Sequence, residues 1–183
     1  MSTPRQLACP ILLALVLTGC GSDTPFGVDV RIPPRDAAPV QTDALSYTLV
    51  RRQGEYRAHV TATLTNTTTE PLHFARCMPG STTPMYGLRR TGPDSARTLF
   101  SDWAWACVGG VPTGRLLPGQ SVSVRVPLGS VDQPNMSPPL RPEHLIGRMR
   151  VTFALCAAAV SDSDYCVPLP LPQRESNAFV VTY

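Results

Sequence analysis

Two runs of strict alternation constrain the fold of this chain more than any other feature. Tyr56, Ala58, Val60, Ala62 and Leu64 alternate with Arg57, His59, Thr61, Thr63 and Thr65, and Val122, Val124, Val126 and Leu128 form the cleanest alternation in the chain. Successive side chains of a strand point to opposite faces, so each run makes a ribbon with one apolar and one polar face, which must cover its apolar face with a second layer. Shorter runs repeat the pattern: Ser46 to Arg52, Leu72 and Phe74 ending near Cys77, Met85 to Arg90, Thr98 to Val108, Val151 with Phe153 and Leu155, and Phe179 with Val181. Turn chemistry separates them, notably Asn66-Thr67-Thr68-Thr69 before Pro71 and Leu117-Pro118-Gly119-Gln120. Apolar spacing of three and four is not sustained over any long window, and only a short helical turn around Arg141 to Leu145 is expected, with Pro142 in its first turn. The expectation is an all-β, immunoglobulin-like antiparallel β-sandwich of about seven or eight strands over residues 45–183, folded as one domain.

The N-terminus reads differently. Arg5 is followed by an apolar stretch from Leu7 to Leu17 and then by Leu17-Thr18-Gly19-Cys20. That stretch is too short to span a hydrocarbon layer, which needs roughly 20 residues, and reads as a signal peptide. Its ending resembles the lipobox of bacterial lipoproteins. The resemblance implies cleavage after Gly19, with residues 1–19 removed and Cys20 becoming the acylated first residue of a mature protein held by palmitate-type chains. Gly21 and Ser22 lack the aspartate that, in that family, favours the inner membrane, so the periplasmic face of an outer membrane or the cell surface is the expected location. Residues 20–44, rich in Pro, Gly, Asp and Ala, then form a flexible tether, because proline fixes φ and removes backbone donors. The alternative for Val28 to Ile32 is a first edge strand.

Within residues 45–183, the long strand ending in Leu64-Thr65-Asn66, the element Leu116, Pro118, Gly119, Gln120, Ser121, and the run Gly147 to Val151 resemble Ig-like modules of bacterial envelope lipoproteins, including the intracellular proteinase inhibitor (BsuPI) type. The resemblance implies the sandwich fold. The four cysteines of the domain depart from the inhibitor type.

Of six cysteines, Cys9 leaves with the signal peptide and Cys20 is acylated, so Cys77, Cys107, Cys156 and Cys166 remain. An even number in an exported chain points to disulfides, with three pairings open. Cys77 with Cys107 and Cys156 with Cys166 is the expected pairing, since the first joins neighbouring strands and the second closes a short connection. Cys-x-x-Cys and close Cys/His pairs are both lacking, so neither a metal nor a redox site is expected. Trp103, Trp105 and Cys107, two residues apart, would share one strand face. They are expected to pack in the core against a disulfide, the alternative being an exposed aromatic strip for sugar rings or a partner.

Every one of the 16 basic residues is arginine, against 13 acids, and loss of Arg5 leaves 15. Without lysine there is no P-loop and no Schiff-base chemistry, and so modest a charge gives no reason to expect nucleic acid. His59, His73 and His144 stand apart without a Gly-x-Ser-x-Gly elbow, so no catalytic constellation, cofactor or metal is read. Ser161-Asp162-Ser163-Asp164 reads as a hydrophilic loop tip. The pairs Arg51-Arg52 and Arg89-Arg90 read as strand-edge charges, with anionic headgroups or polysaccharide as the alternative. Trp103, Trp105, Arg89 and Arg90 are therefore the candidate binding residues. The function expected is a non-enzymatic, lipid-anchored binding or structural module whose partner is the membrane together with an unknown envelope protein or polysaccharide. A proteinase inhibitor presenting the segment Met78 to Ala106 is the alternative.

Overall fold

A computed structural model describes residues 31–32, 34–53, 55–78, 80–92, 97–102, 105, 107, 112–129, 142–159 and 166–183. The expected signal peptide and lipobox with Cys20, residues 28–30 of the alternative edge strand, Trp103 and the Ser161–Asp164 tip lie outside the described residues. In chain order the strands are β1 (Val40–Thr42), β2 (Ser46–Thr48), β3 (Val50–Arg52), β4 (Glu55–Thr65), β5 (Leu72–Ala75), β6 (Tyr86–Arg90), β7 (Arg97–Phe100), β8 (Thr113–Leu116), β9 (Ser121–Gly129), β10 (Gly147–Phe153), β11 (Leu155–Cys156) and β12 (Phe179–Thr182). The short helix α1 (Pro142–Leu145) forms where proline was expected to open it.

The alternating run of residues 56–64 becomes the spine of the first sheet. β4 pairs along one edge with β9, from Arg57↔Gly129 to Thr65↔Ser121, and along the other with β1 and β3. Its apolar set and that of β9 turn inward: Val60, Ala62, Leu64, Val124, Val126 and Leu128 are buried. The second sheet runs β2-β12-β10-β6-β7, antiparallel except for β2 beside β12. Its Leu88, Met149, Val151, Phe153, Phe179 and Val181 join the same core cluster as the first sheet's side chains.

β5, β8 and β11 form a third ladder that continues the second. The chain leaves after Ala75 and re-enters at Met85, and both flank Ala154: the Ala75 amide donates to Ala154 O (2.8 Å) and the Ala154 amide to Met85 O (2.9 Å). β5 and β6 therefore lie along one edge of β10 and β11. β7 and β8 lie along the outer edges of β6 and β5 in the same way. Two excursions, residues 76–84 and 101–112, thus leave the sheet at one level.

Three expectations need correction. Ser46 to Arg52 is not one strand: it divides at the buried Leu49, β2 joining the second sheet and β3 the first. The fold begins before Leu45, because Val40 pairs with Leu64 and is itself buried, so the end of the expected tether is a strand. The strand expected over Thr98 to Val108 stops at Phe100. Asp102 is drawn down onto Arg174, and Cys107 is bonded to Cys77, so Trp105 and Cys107 lie off the ladder.

The two turns singled out in the sequence meet around one buried residue. Asn66, wholly inaccessible, donates from Nδ2 to Glu70 O (2.8 Å) and Leu116 O (2.9 Å), while its Oδ1 accepts from the Thr68 amide (3.0 Å) and hydroxyl (2.7 Å). Its backbone pairs with Gly119 and Gln120 of the opposite turn. That turn closes from the Gln120 amide to Leu117 O (3.0 Å), with Gly119 at φ 78°, a conformation that favours glycine.

Candidate functional site

Cys77, Cys107, Cys156 and Cys166 are paired as expected, Cys77 with Cys107 (Cα separation 4.9 Å) and Cys156 with Cys166 (5.3 Å). The first ties the two excursions to each other. The second staples the connection after β11, where Ala157 and Val167 are hydrogen-bonded and Leu169 returns to Leu155. Both bridges border a satellite core of Ala75, Met85, Ala154 and Cys156, against which Trp105 packs half-buried. The Trp105 Nε1–H donates to Tyr86 O (2.8 Å) and the two rings meet edge to face, centroids 4.8 Å apart. Trp105 therefore packs as expected of a core aromatic but is carried by a loop, so it shares no strand face with Cys107.

Arg89 and Arg90 do not make a joint cationic patch, because neighbours on a strand point to opposite faces. Arg89, half-buried on the outer face of the second sheet, donates to Glu175 Oε2 (2.9 Å). Glu175 also faces Arg150 (3.8 Å), whose other nitrogens reach Asp36 Oδ2 (2.7 Å) and Ser176 O. Beside them Arg174 pairs with Asp102 and donates to Leu169 O (3.0 Å). Burial pushes the Asp102 carboxyl above its ordinary value, and Arg174 and Thr152 pull it back only in part. This network clamps the segment before β12 onto the sheet. Arg90 is half-buried, in register with Met149.

A different basic feature lies on the outer face of the first sheet. A connection of two residues, in which Gln53 has φ 51°, sets Arg52 opposite Glu55; Val50 stands opposite Arg57, His59 opposite Pro127, and Thr61 opposite Arg125. The cross-strand register thereby puts Arg52, Arg57, His59 and Arg125 on one face, in a diagonal stripe. All four are exposed, and with Tyr47, Thr48, Val50 and Ala58 they line a groove of about 500 Å³. Arg57 is paired with Glu55 (2.5 Å), whereas among the described residues neither Arg52 nor Arg125 has an ion-pair partner. Tyr47, at the end of the groove, is fixed: its hydroxyl donates to Asp43 Oδ1 (2.5 Å) and accepts from the Ala44 amide (2.9 Å), and its ring meets Phe179 edge to face (5.3 Å). Burial, reinforced by the Asp43 carboxylate, pushes the Tyr47 hydroxyl far up.

Sequence reasoning placed Arg57 and His59 on the polar side of their strand, but it did not single out Arg52 with Arg125 and missed the groove. The available signal was the two alternating runs; what it lacked was the register between them and the turn that returns Arg52. Beyond the groove the same face becomes a hydroxyl ladder, with Thr63 bonded to Ser123 and Thr65 to Ser121, each at 2.8 Å. His73 and His144 are half-buried and lie on other elements. Among the described residues, groups of three or more His, Cys, Asp or Glu side chains able to hold a metal ion do not occur. In comparisons with models of known protein families and with curated proteins, the chain matches none.

Proposed function

We propose that this chain is a lipid-anchored, non-enzymatic binding module of the cell envelope, an immunoglobulin-like sandwich carried on a short tether from acylated Cys20. The observation that carries the reading is that all four cysteines downstream of Cys20 are joined in two disulfides, the state expected of an exported chain and not of a cytosolic one. The sheet orders support the Ig-like reading: an opening segment is shared between the two sheets, first β1 on β4, then β2 parallel to the last strand. The inhibitor alternative draws on Met78, which is 62% exposed beside a disulfide. Against it, the chain there closes as a turn, with the Ser81 amide donating to Met78 O (3.0 Å), where a protease cleft takes an extended segment.

The test is labelling with a palmitate analogue and membrane fractionation of the wild-type chain and Cys20→Ala, followed by cross-linking and capture from the envelope. Label and membrane attachment that depend on Cys20, with a reproducible cross-linked envelope component, are expected. An unlabelled wild type, or inhibition of a protease panel at stoichiometric ratio by the purified chain, would overturn the reading.

A further inference from the structure

We infer that the Arg52–Arg57–His59–Arg125 groove binds an extended acidic polysaccharide, its oxyanion groups seated on the guanidiniums; the inference rests on the proposed role as an envelope binding module. Three arginines face one glutamate there, so the groove carries net positive charge even with His59 neutral. Guanidinium is the cation suited to this work, because its planar fork can give a carboxylate or a phosphate two hydrogen bonds at once. Neighbours along a strand and diagonal neighbours across a pair stand roughly 7 Å apart, so the stripe offers a succession of cationic positions and suits a repeating ligand better than a single ion. Val50, 52% exposed, and the immobilised Tyr47 ring add apolar surface between the charges, as the C–H faces of sugar rings require.

The shape favours a chain over a bilayer. A membrane-docking surface projects apolar side chains among its cations, whereas this one is a hollow in which Val50 is the sole large apolar residue of the groove that is exposed. Along β4 the groove runs from Thr61, opposite Arg125, to Glu55, opposite Arg52, so it extends from roughly 10 to roughly 30 Å beyond Leu64, where Val40 joins the sheet, at about 3.3 Å per residue.

The experiment titrates the full chain carrying Cys20→Ser, so that acyl chains cannot capture vesicles, with polygalacturonate oligomers at 50 and 300 mM salt. Neutral dextran and vesicles of phosphatidylglycerol in phosphatidylcholine form the comparison arms. Binding to polygalacturonate but not dextran is expected, weakened by the higher salt and about tenfold by Arg52→Ser with Arg125→Ser. Arg115→Ser, an exposed arginine on β8, should leave it unchanged. A thermal melt of the double variant within about a degree of the parent excludes unfolding as the cause. Lack of binding at low salt, equal binding by the double variant, or capture by vesicles but not by polygalacturonate overturns the inference. If the double variant still cross-links the wild-type envelope component, the groove assignment falls while the binding-module reading stands; if the wild type cross-links nothing, the module reading falls as well.

Discussion

Replacing Asn66 isolates the contact that joins the two turn motifs. In Asn66→Ala four side-chain hydrogen bonds disappear. They are not equivalent. Thr68 and Glu70 are exposed, so water replaces their lost partners at about 0.5 kcal/mol each. Leu116 O is enclosed but keeps its ladder partner, since the Arg76 amide donates to Pro112 O and Leu72 faces Leu116 in the same register, so the side-chain bond lost there costs about 0.5–1.5 kcal/mol. The sum is about 2–3 kcal/mol, a large part of the stability of an ordinary domain. Asn66→Asp is the sharper variant. It keeps the shape and the oxygen that accepts both Thr68 bonds but aims a carboxylate oxygen at two carbonyls, so at pH 7 it should cost more than alanine. A carboxyl in that position has a folded-state pKa above its unfolded value. The charge penalty is therefore absent below about pH 4 and grows as pH rises from there toward the folded pKa. Guanidinium unfolding followed by circular dichroism, disulfides intact, measures both variants at pH 3.5 and 7, and hydrogen exchange should show the Gly119 and Gln120 amides losing protection first. An alanine cost below about 1 kcal/mol, or an Asn66→Asp variant as stable as the parent at pH 7, would refute the assignment of Asn66 as the tie between the turns.

Three further outcomes follow from the same structure. Chain-entropy scaling gives about 3.6 kcal/mol for the Cys77–Cys107 bridge, which closes a separation of 30 residues, and about 2.7 for Cys156–Cys166, which closes 10, so paired Cys→Ser variants should rank in that order in denaturant midpoint. Burial raises the Asp43 carboxyl, but the Tyr47 hydroxyl and the Thr61 amide outweigh it and hold the group below its ordinary value. The stability it contributes is present above the unfolded pKa and lost as pH falls through the folded one, so Asp43→Asn should flatten the acid limb of a stability profile measured below pH 4. Gly114 faces Phe74 across β5 and β8, and a Cβ there would stand 2.3 Å from the ring; Gly114→Ala should cost about 1–3 kcal/mol in a thermal melt, and a neutral result would mean that the ring is free to move.

One detail shows how the two levels divide. The Asp43 amide donates to Thr61 O (2.9 Å), so the odd-numbered residues of β4 hydrogen-bond toward β1 and the even-numbered ones toward β9. On β9 the even residues Val122, Val124, Val126 and Leu128 then supply the ladder. Pro127 belongs to the other set, so its missing N–H takes nothing from the pairing with β4. A proline inside the most regular alternation in the chain looks like a conflict until the register is known.

The sequence by itself determined the all-β class, the inward and outward sets of β4, the inward set of β9, the turn at Pro118-Gly119 and the short helix at Pro142. Each of these rests on interactions within a few residues or on a period of two, which composition and spacing record directly. Tertiary structure alone decided where the opening segment changes sheets, why the strand expected over Thr98 to Val108 stops at Phe100, which of the three cysteine pairings forms, and which arginines stand together. Arg89 and Arg90 are adjacent in the chain, yet one of them is spent on Glu175. Arg52, Arg57 and Arg125 are scattered along it, yet they share a groove. The physical reason is register: a shift of one residue between paired strands exchanges their faces, and that register is set by contacts between segments as distant as Asn66 and Gly119.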